Sequence, residues 1–147
     1  MKPFDPNRYG PAGALDELVS RLQQIRGEIL VGIDGRMAAG KTPLAQWLSE
    51  KLDWSLYSLD DSFKGDGSWH DHDSVSEALS RLKARNRPII VEGARLLHTI
   101  DREQLGFLIF LDDEPACDPN GNDQRAVEQY LRDVSPRDLA DFYLMSL

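Results

Sequence analysis

The chain has 147 residues, enough for one domain with a substantial core. Hydrophobic residues make up 41% and charged residues 29%, the balance of a soluble globular protein. Seventeen Lys and Arg against 25 Asp and Glu give a net charge of −8, which excludes a broad basic face for nucleic acid but leaves room for one small anion held by a few cations. Cys117 is the only cysteine, so there is no internal disulfide and a reducing compartment is expected. Residues 1–10 lack the apolar core of a signal peptide, and no run has the length of a membrane span. The expectation is a cytoplasmic protein with no nucleic-acid or membrane partner.

Residues 1–11 contain Pro3, Pro6, Gly10 and Pro11 and read as an irregular arm. Over residues 12–26, Leu15, Leu18, Val19, Leu22 and Ile25 form one helical stripe, which Gly27 is expected to end. Residues 28–34 are an apolar, β-branched run that suits a buried parallel strand. The next eight residues, Gly35, Arg36, Met37, Ala38, Ala39, Gly40, Lys41 and Thr42, spell G-x-x-x-x-G-K-[ST], the phosphate-binding P-loop pattern. Leu44, Ala45, Trp47, Leu48 and Leu52 then give an apolar helical face. Strand, glycine loop and helix are the context the motif requires. The glycines permit backbone angles and a close approach that a side chain would block. The inward N–H groups cradle phosphate oxygens at a helix N-terminus. Lys41 places its ammonium on the β- and γ-phosphates, and Thr42 gives its hydroxyl to Mg²⁺. Pro43 is tolerated because the first helical turn has no intrahelical partner for its N–H.

Residues 54–59 read as a second strand, ending in Asp60, Asp61, Ser62 and Phe63. In open α/β sheets ligands collect at the carboxyl ends of strands, so these acids are candidates for Mg²⁺ contact or general-base work; a solvated turn is the plain alternative. Residues 64–74 form a polar loop in which Trp69 offers a face to a planar ligand. His70, Asp71, His72 and Asp73 lack the further Cys or His that a zinc site needs. Asp73 or Ser74 is expected to cap the next helix, whose stripe is Val75, Ala78, Leu79 and Leu82. Residues 88–91 are a short buried strand ending at Glu92 and Gly93, where an acid can hold Mg²⁺ directly or through water. Residues 94–104 read as a helical or irregular link, and residues 106–111 as a strand ending at Asp112 and Asp113, which read as a turn. Residues 114–123 are a loop, residues 124–134 a helix with Val127, Leu131 and Val134 inward, and Pro136 opens a final helix with Leu139, Phe142 and Tyr143 on its apolar side. Arg125, Arg132 and Arg137 are the cations available near a phosphate.

Strands alternating with helices around a P-loop predict a three-layer α/β/α P-loop NTPase fold, with a mainly parallel sheet of about four to five strands in one domain. The motifs in order resemble the uridine kinase family of P-loop nucleoside kinases, within a broader group that includes phosphoribulokinase and bacterial pantothenate kinase. The P-loop at residues 35–42 carries the likeness. Asp61-Ser62-Phe63 looks like the family's Asp-Ser-Phe-Tyr segment, with Lys64 replacing Tyr. Asp71-His72 looks like its Asp-His-Pro segment, with Asp73 replacing Pro. Glu92-Gly93 looks like its Glu-Gly strand end, residues 107–112 its late core strand, and Leu131 to Val134 with Arg137 and Asp138 its Arg-Asp helix and lid. The resemblance covers residues 28–143. The chain departs from the family in a reduced segment after Phe63, a lid poorer in arginine and a short adenine-side region.

The resemblance implies ATP and Mg²⁺ as cofactors, Asp61 as general base on the acceptor hydroxyl, Thr42, Asp61 and Glu92 at Mg²⁺, and Phe63, Trp69, Asp71 and His72 near a nucleoside. Lys41, Asp61 and Arg132 are the expected catalytic residues. It implies a parallel strand order with the P-loop strand between the third and fourth. The expected activity is an ATP-dependent small-molecule kinase with a hydroxyl acceptor, most simply a nucleoside; the alternative is a nucleotide-binding module, or degenerate kinase, without phosphoryl transfer.

Overall fold

The computed structural model describes residues 4–36, 39–62, 70–113 and 122–146. Five strands run parallel: β2 (Leu30–Gly35), β3 (Ser55–Ser58), β4 (Ile89–Glu92), β5 (Leu105–Asp112) and β6 (Phe142–Ser146). A two-residue strand, β1 (Tyr9–Gly10), pairs antiparallel with β6, and the six lie in the order β1-β6-β5-β2-β4-β3. The P-loop strand β2 is therefore central, with β4 on one side and β5 on the other.

Alternation along the strands builds two cores, because successive side chains leave a strand on opposite faces. Val31 and Ile33 of β2, Ile90 of β4 and Ile109 and Leu111 of β5 pack on one face against α1 (Ala14–Leu22) and α2 (Lys41–Leu52). Leu30, Ile89, Val91 and Leu108 pack on the other, against α3 (His72–Lys83) and α4 (Leu96–Thr99). The result is the expected three layers. The strand order also agrees with the resemblance, with β4 and β5 flanking the P-loop strand.

The sheet has six strands where four to five were expected, and the two additions lie at the chain's ends. The final helix expected from Pro136 stops after one turn, α6 (Pro136–Leu139), and residues Phe142–Ser146 form β6 instead. Leu139, Phe142 and Tyr143 fit a helical period. The burial, however, has period two: Phe142 and Leu144 are inside, Tyr143 is half-buried and Met145 is exposed. The edge of β5 decides the outcome by pairing Ile109 with Phe142 and Leu111 with Leu144.

The N-terminal arm is likewise not irregular throughout. Asp5 accepts a hydrogen bond from the Asn7 backbone at 3.0 Å and caps a 3₁₀ turn at Pro6–Arg8, which leads into β1. Helix α1 ends at Leu22, ahead of Gly27, and Ile25 packs half-buried on the core beyond it. The N-cap of α3 is Asp71, ahead of the expected Asp73 or Ser74, and Ser74 turns back to donate to it at 2.8 Å.

Candidate active site

The P-loop leaves the carboxyl end of β2 and enters α2. Gly35 tolerates no side chain: a Cβ there would sit 2.0 Å from the Leu111 carbonyl oxygen on the neighbouring strand. Gly40 has φ +97°, a left-handed angle that favours glycine, and as N-cap of α2 it supplies no side-chain cap. Pro43 lies in the first turn of α2, where its missing N–H costs no helical bond.

Lys41 is buried at the start of α2, and its ammonium donates to the Arg36 carbonyl at 2.6 Å and to the Gly35 carbonyl at 3.3 Å. Burial lowers its pKa, opposed by the negative charges of Asp34, Glu92 and Asp60. Thr42 donates its hydroxyl to Glu92 Oε1 at 3.0 Å. Glu92 ends β4 beside the P-loop strand and is 1% exposed. Burial raises its pKa against hydrogen bonds from Ser58 and Thr42. Thr42 and Glu92, 50 residues apart in sequence, are thus joined at the carboxyl end of the sheet.

This set fits a magnesium-bound phosphate chain. Mg²⁺ is commonly held by one or two protein oxygens with substrate phosphates and water, so one hydroxyl and one carboxylate suffice. Among the described residues, no group of three or more His, Cys, Asp or Glu is placed to hold a metal by itself.

Asp60 and Asp61 form a 3₁₀ turn at the end of β3, and both are exposed. Of the two, Asp60 is the one whose charge reaches Lys41, Glu92 and His70. His70 turns inward, its Nδ1 2.8 Å from the Thr99 hydroxyl of α4, whereas His72 is exposed at the start of α3. Arg132 is exposed on α5 (Asn122–Val134) and donates to Gln129 one turn back at 2.9 Å. Met37, Ala38, Phe63 and Trp69 lie outside the described residues.

Four residues at the P-loop were not singled out from the sequence. Asp34, just before Gly35, is 0% exposed; it accepts from the Gly35 N–H at 2.8 Å and from the Tyr130 hydroxyl of α5. The Leu97 N–H donates to Tyr130 in turn at 3.0 Å. A charged residue inside an apolar strand was the available signal, because a buried charge demands a partner. Tyr130 shares its stripe with Val127 and Val134 and is buried, at 1% exposed. Asp112, read as a turn, binds Arg36 of the P-loop through Nε at 3.0 Å and Tyr143 at 2.8 Å, while Glu128 of α5 also takes the Arg36 guanidinium. Burial acts to raise the Asp112 pKa, but those two hydrogen bonds, the Asp113 N–H and the Arg36 charge together outweigh it and hold the carboxyl below its usual range. Tyr9 of the arm donates to the Gly40 carbonyl at 3.2 Å.

A central parallel strand, a glycine loop closed by a buried lysine, and a threonine on a neighbouring strand's buried acid define the P-loop NTPase class of α/β fold. No family model and no curated protein sequence matches the chain. Among solved structures it is similar to a possible uridine kinase from Bacillus stearothermophilus, at 20% identity over 88% of this chain and 96% of that one, with a TM-score of 0.70. It is also similar to a proposed fructose transport system kinase from Silicibacter sp. TM1040, at 16% identity over 91% and 99% of the two chains, with a TM-score of 0.58. The chain has a uridine kinase-like P-loop kinase fold.

Proposed function

We propose that the protein is an ATP-dependent kinase that transfers the γ-phosphoryl group to the hydroxyl of a small molecule, most simply a nucleoside. The observation that carries this is the Thr42 hydroxyl on the buried Glu92 carboxylate, beside the buried Lys41, at the mouth of a glycine loop. A loop that only turned the chain would have no use for an ammonium and a carboxylate kept from water, each costly to bury.

In this reading the backbone of residues 35–40 cradles the phosphates, and Lys41 exchanges the Gly35 and Arg36 carbonyls for phosphate oxygens. Thr42 and Glu92 hold Mg²⁺, with Asp61 reaching it from the third strand end. The bound ion supplies charge neutralisation on the β- and γ-phosphates. Asp61 takes the acceptor's hydroxyl proton as that oxygen bonds to the γ-phosphorus and the bond to the ADP oxygen breaks. Arg132, on the helix whose Tyr130 reaches Asp34, stabilises the transferring group. Phe63, Trp69, Asp71 and His72 line the acceptor's side, as the resemblance implies.

One observation favours a variant of this assignment. The charge of Asp60, rather than that of Asp61, acts on Lys41 and Glu92, which supports Asp60 as the alternative base. Asp60→Asn and Asp61→Asn separate the two, because losing a general base costs about 10²–10⁴-fold in turnover. The variant that loses that much, with ATP affinity and circular dichroism unchanged, carries the base. Lys41→Ala is expected to abolish transfer with the fold intact; transfer at the wild-type rate in Lys41→Ala contradicts the proposal.

The second reading is a nucleotide-binding module without transfer. It is favoured by the engagement of Arg36 with Asp112 and Glu128, which leaves this P-loop cation already neutralised. Nucleotide binding without transfer to any acceptor supports that reading.

A further inference from the structure

Arg36 stands second in the P-loop, and its guanidinium bridges carboxylates from two other elements. Its Nε donates to Asp112 at the carboxyl end of β5 at 3.0 Å, and its Nη1 donates to Glu128 of α5. The two ties differ. Asp112 is 15% exposed, and it also accepts from the Tyr143 hydroxyl and from the Asp113 N–H, each at 2.8 Å. Glu128 is 34% exposed and sits on a helix rather than on the sheet. A partly exposed ion pair is weak and exchanges readily for another anion, whereas a carboxylate held from three sides stays in place.

Arg36 is also tied through its main chain, since its carbonyl accepts the Lys41 ammonium at 2.6 Å. One residue therefore joins α5, through its side chain, to the lysine that the kinase reading assigns to the phosphates. A nucleotide that draws Lys41 off the Arg36 carbonyl reaches the loop at the very residue that holds Glu128. Helix α5 keeps a second hold when Glu128 lets go. Tyr130, two residues further on and 1% exposed, donates to the buried Asp34 of β2.

Charge decides between the anions that want Arg36. Its planar fork fits a phosphate as well as a carboxylate, and a triphosphate carries more negative charge than one glutamate. We infer that Glu128 is an autoinhibitory counter-ion of the P-loop. It occupies Arg36 in the empty site, and the phosphates of a bound nucleotide take the guanidinium from it, with Asp112 as the fixed end about which Arg36 turns. Nucleotide binding therefore breaks the tie between the P-loop and Glu128, and that cost sets the affinity below what Lys41 and Arg36 would give together. The inference rests on the kinase reading, which puts the nucleotide's phosphates at Lys41.

The test measures Mg²⁺-ATP and Mg²⁺-tripolyphosphate by isothermal titration calorimetry on the full chain, for wild type, Glu128→Gln, Arg36→Ala and the double variant. Glutamine keeps the size of the side chain and a hydrogen-bond acceptor while removing the charge, and circular dichroism checks the fold. The expected result is that Glu128→Gln tightens both ligands about fivefold, and that the same substitution changes nothing in the Arg36→Ala background. Tightening of equal size in both backgrounds overturns the inference, by tracing the gain to the loss of a negative charge near the site. Unchanged or weaker binding in Glu128→Gln overturns it too, while ATP binding by the wild type leaves the P-loop reading standing. If wild type binds neither ligand, the nucleotide reading itself fails and takes the inference with it.

Discussion

Asp34 sits inside the strand that feeds the P-loop, and burial pushes its pKa from 3.8 up to about 6, against hydrogen bonds from Tyr130 and the Gly35 backbone. A carboxyl raised on folding contributes stability that is fully present below its unfolded pKa and lost as pH rises through its folded value. For Asp34 that window runs from 3.8 to about 6. Tyr130→Phe removes the hydrogen bond that favours the carboxylate, so the folded pKa rises further and the loss grows. We expect this variant to be destabilised by about 1–3 kcal/mol at pH 7 and by less at pH 4, measured by urea unfolding. A penalty independent of pH contradicts the role given to Asp34. Lys41, Thr42 and Glu92 were legible in the sequence because a local motif, or a strand end, marks each. Tyr9, Asp112 and Tyr130 were not, because each owes its place to contacts across the fold: 31 residues separate Tyr9 from Gly40 and 96 separate Tyr130 from Asp34.

The elements carrying the P-loop follow from hydrophobic period, and β2 with α2 arise where the sequence puts them. The ends of the chain do not, because short segments of mixed period take the structure that an open sheet edge imposes. Residues 142–146 satisfy a helical spacing and a strand spacing alike, and pairing with β5 selects the strand. Leu144 is 0% exposed and Met145 is 43% exposed. Leu144→Ala is therefore expected to cost about 2–5 kcal/mol and Met145→Ala less than about 0.5 kcal/mol in the same unfolding assay. Equal costs at the two positions contradict the strand. The arm reads as irregular from its prolines, yet β6 gives it a partner, and its Tyr9 then reaches the P-loop.

The whole molecule has a net charge of −8, while the nucleotide proposed for the site is a polyanion. Lys41 and Arg36 supply the positive charge at the loop, and Arg36 is already paired with Asp112 and Glu128. Such a molecule attracts nucleotide chiefly when a cation has reduced the nucleotide's charge. ATP affinity is accordingly expected to fall about tenfold or more when Mg²⁺ is removed with EDTA, and Glu92→Gln to show a smaller fall than wild type. Equal affinity with and without Mg²⁺ contradicts the placement of Thr42 and Glu92 at the ion. No helix among the described residues is long and apolar enough to cross a membrane. The measurement that tests the central claim most directly is phosphoryl transfer from labelled Mg²⁺-ATP across a panel of nucleosides, pantothenate and simple sugars. Acceptor-dependent transfer to one class, absent in Lys41→Ala and reduced in either Asp60→Asn or Asp61→Asn, is the predicted result. ATP bound at the P-loop with no transfer to any acceptor contradicts the kinase and leaves a nucleotide-binding module.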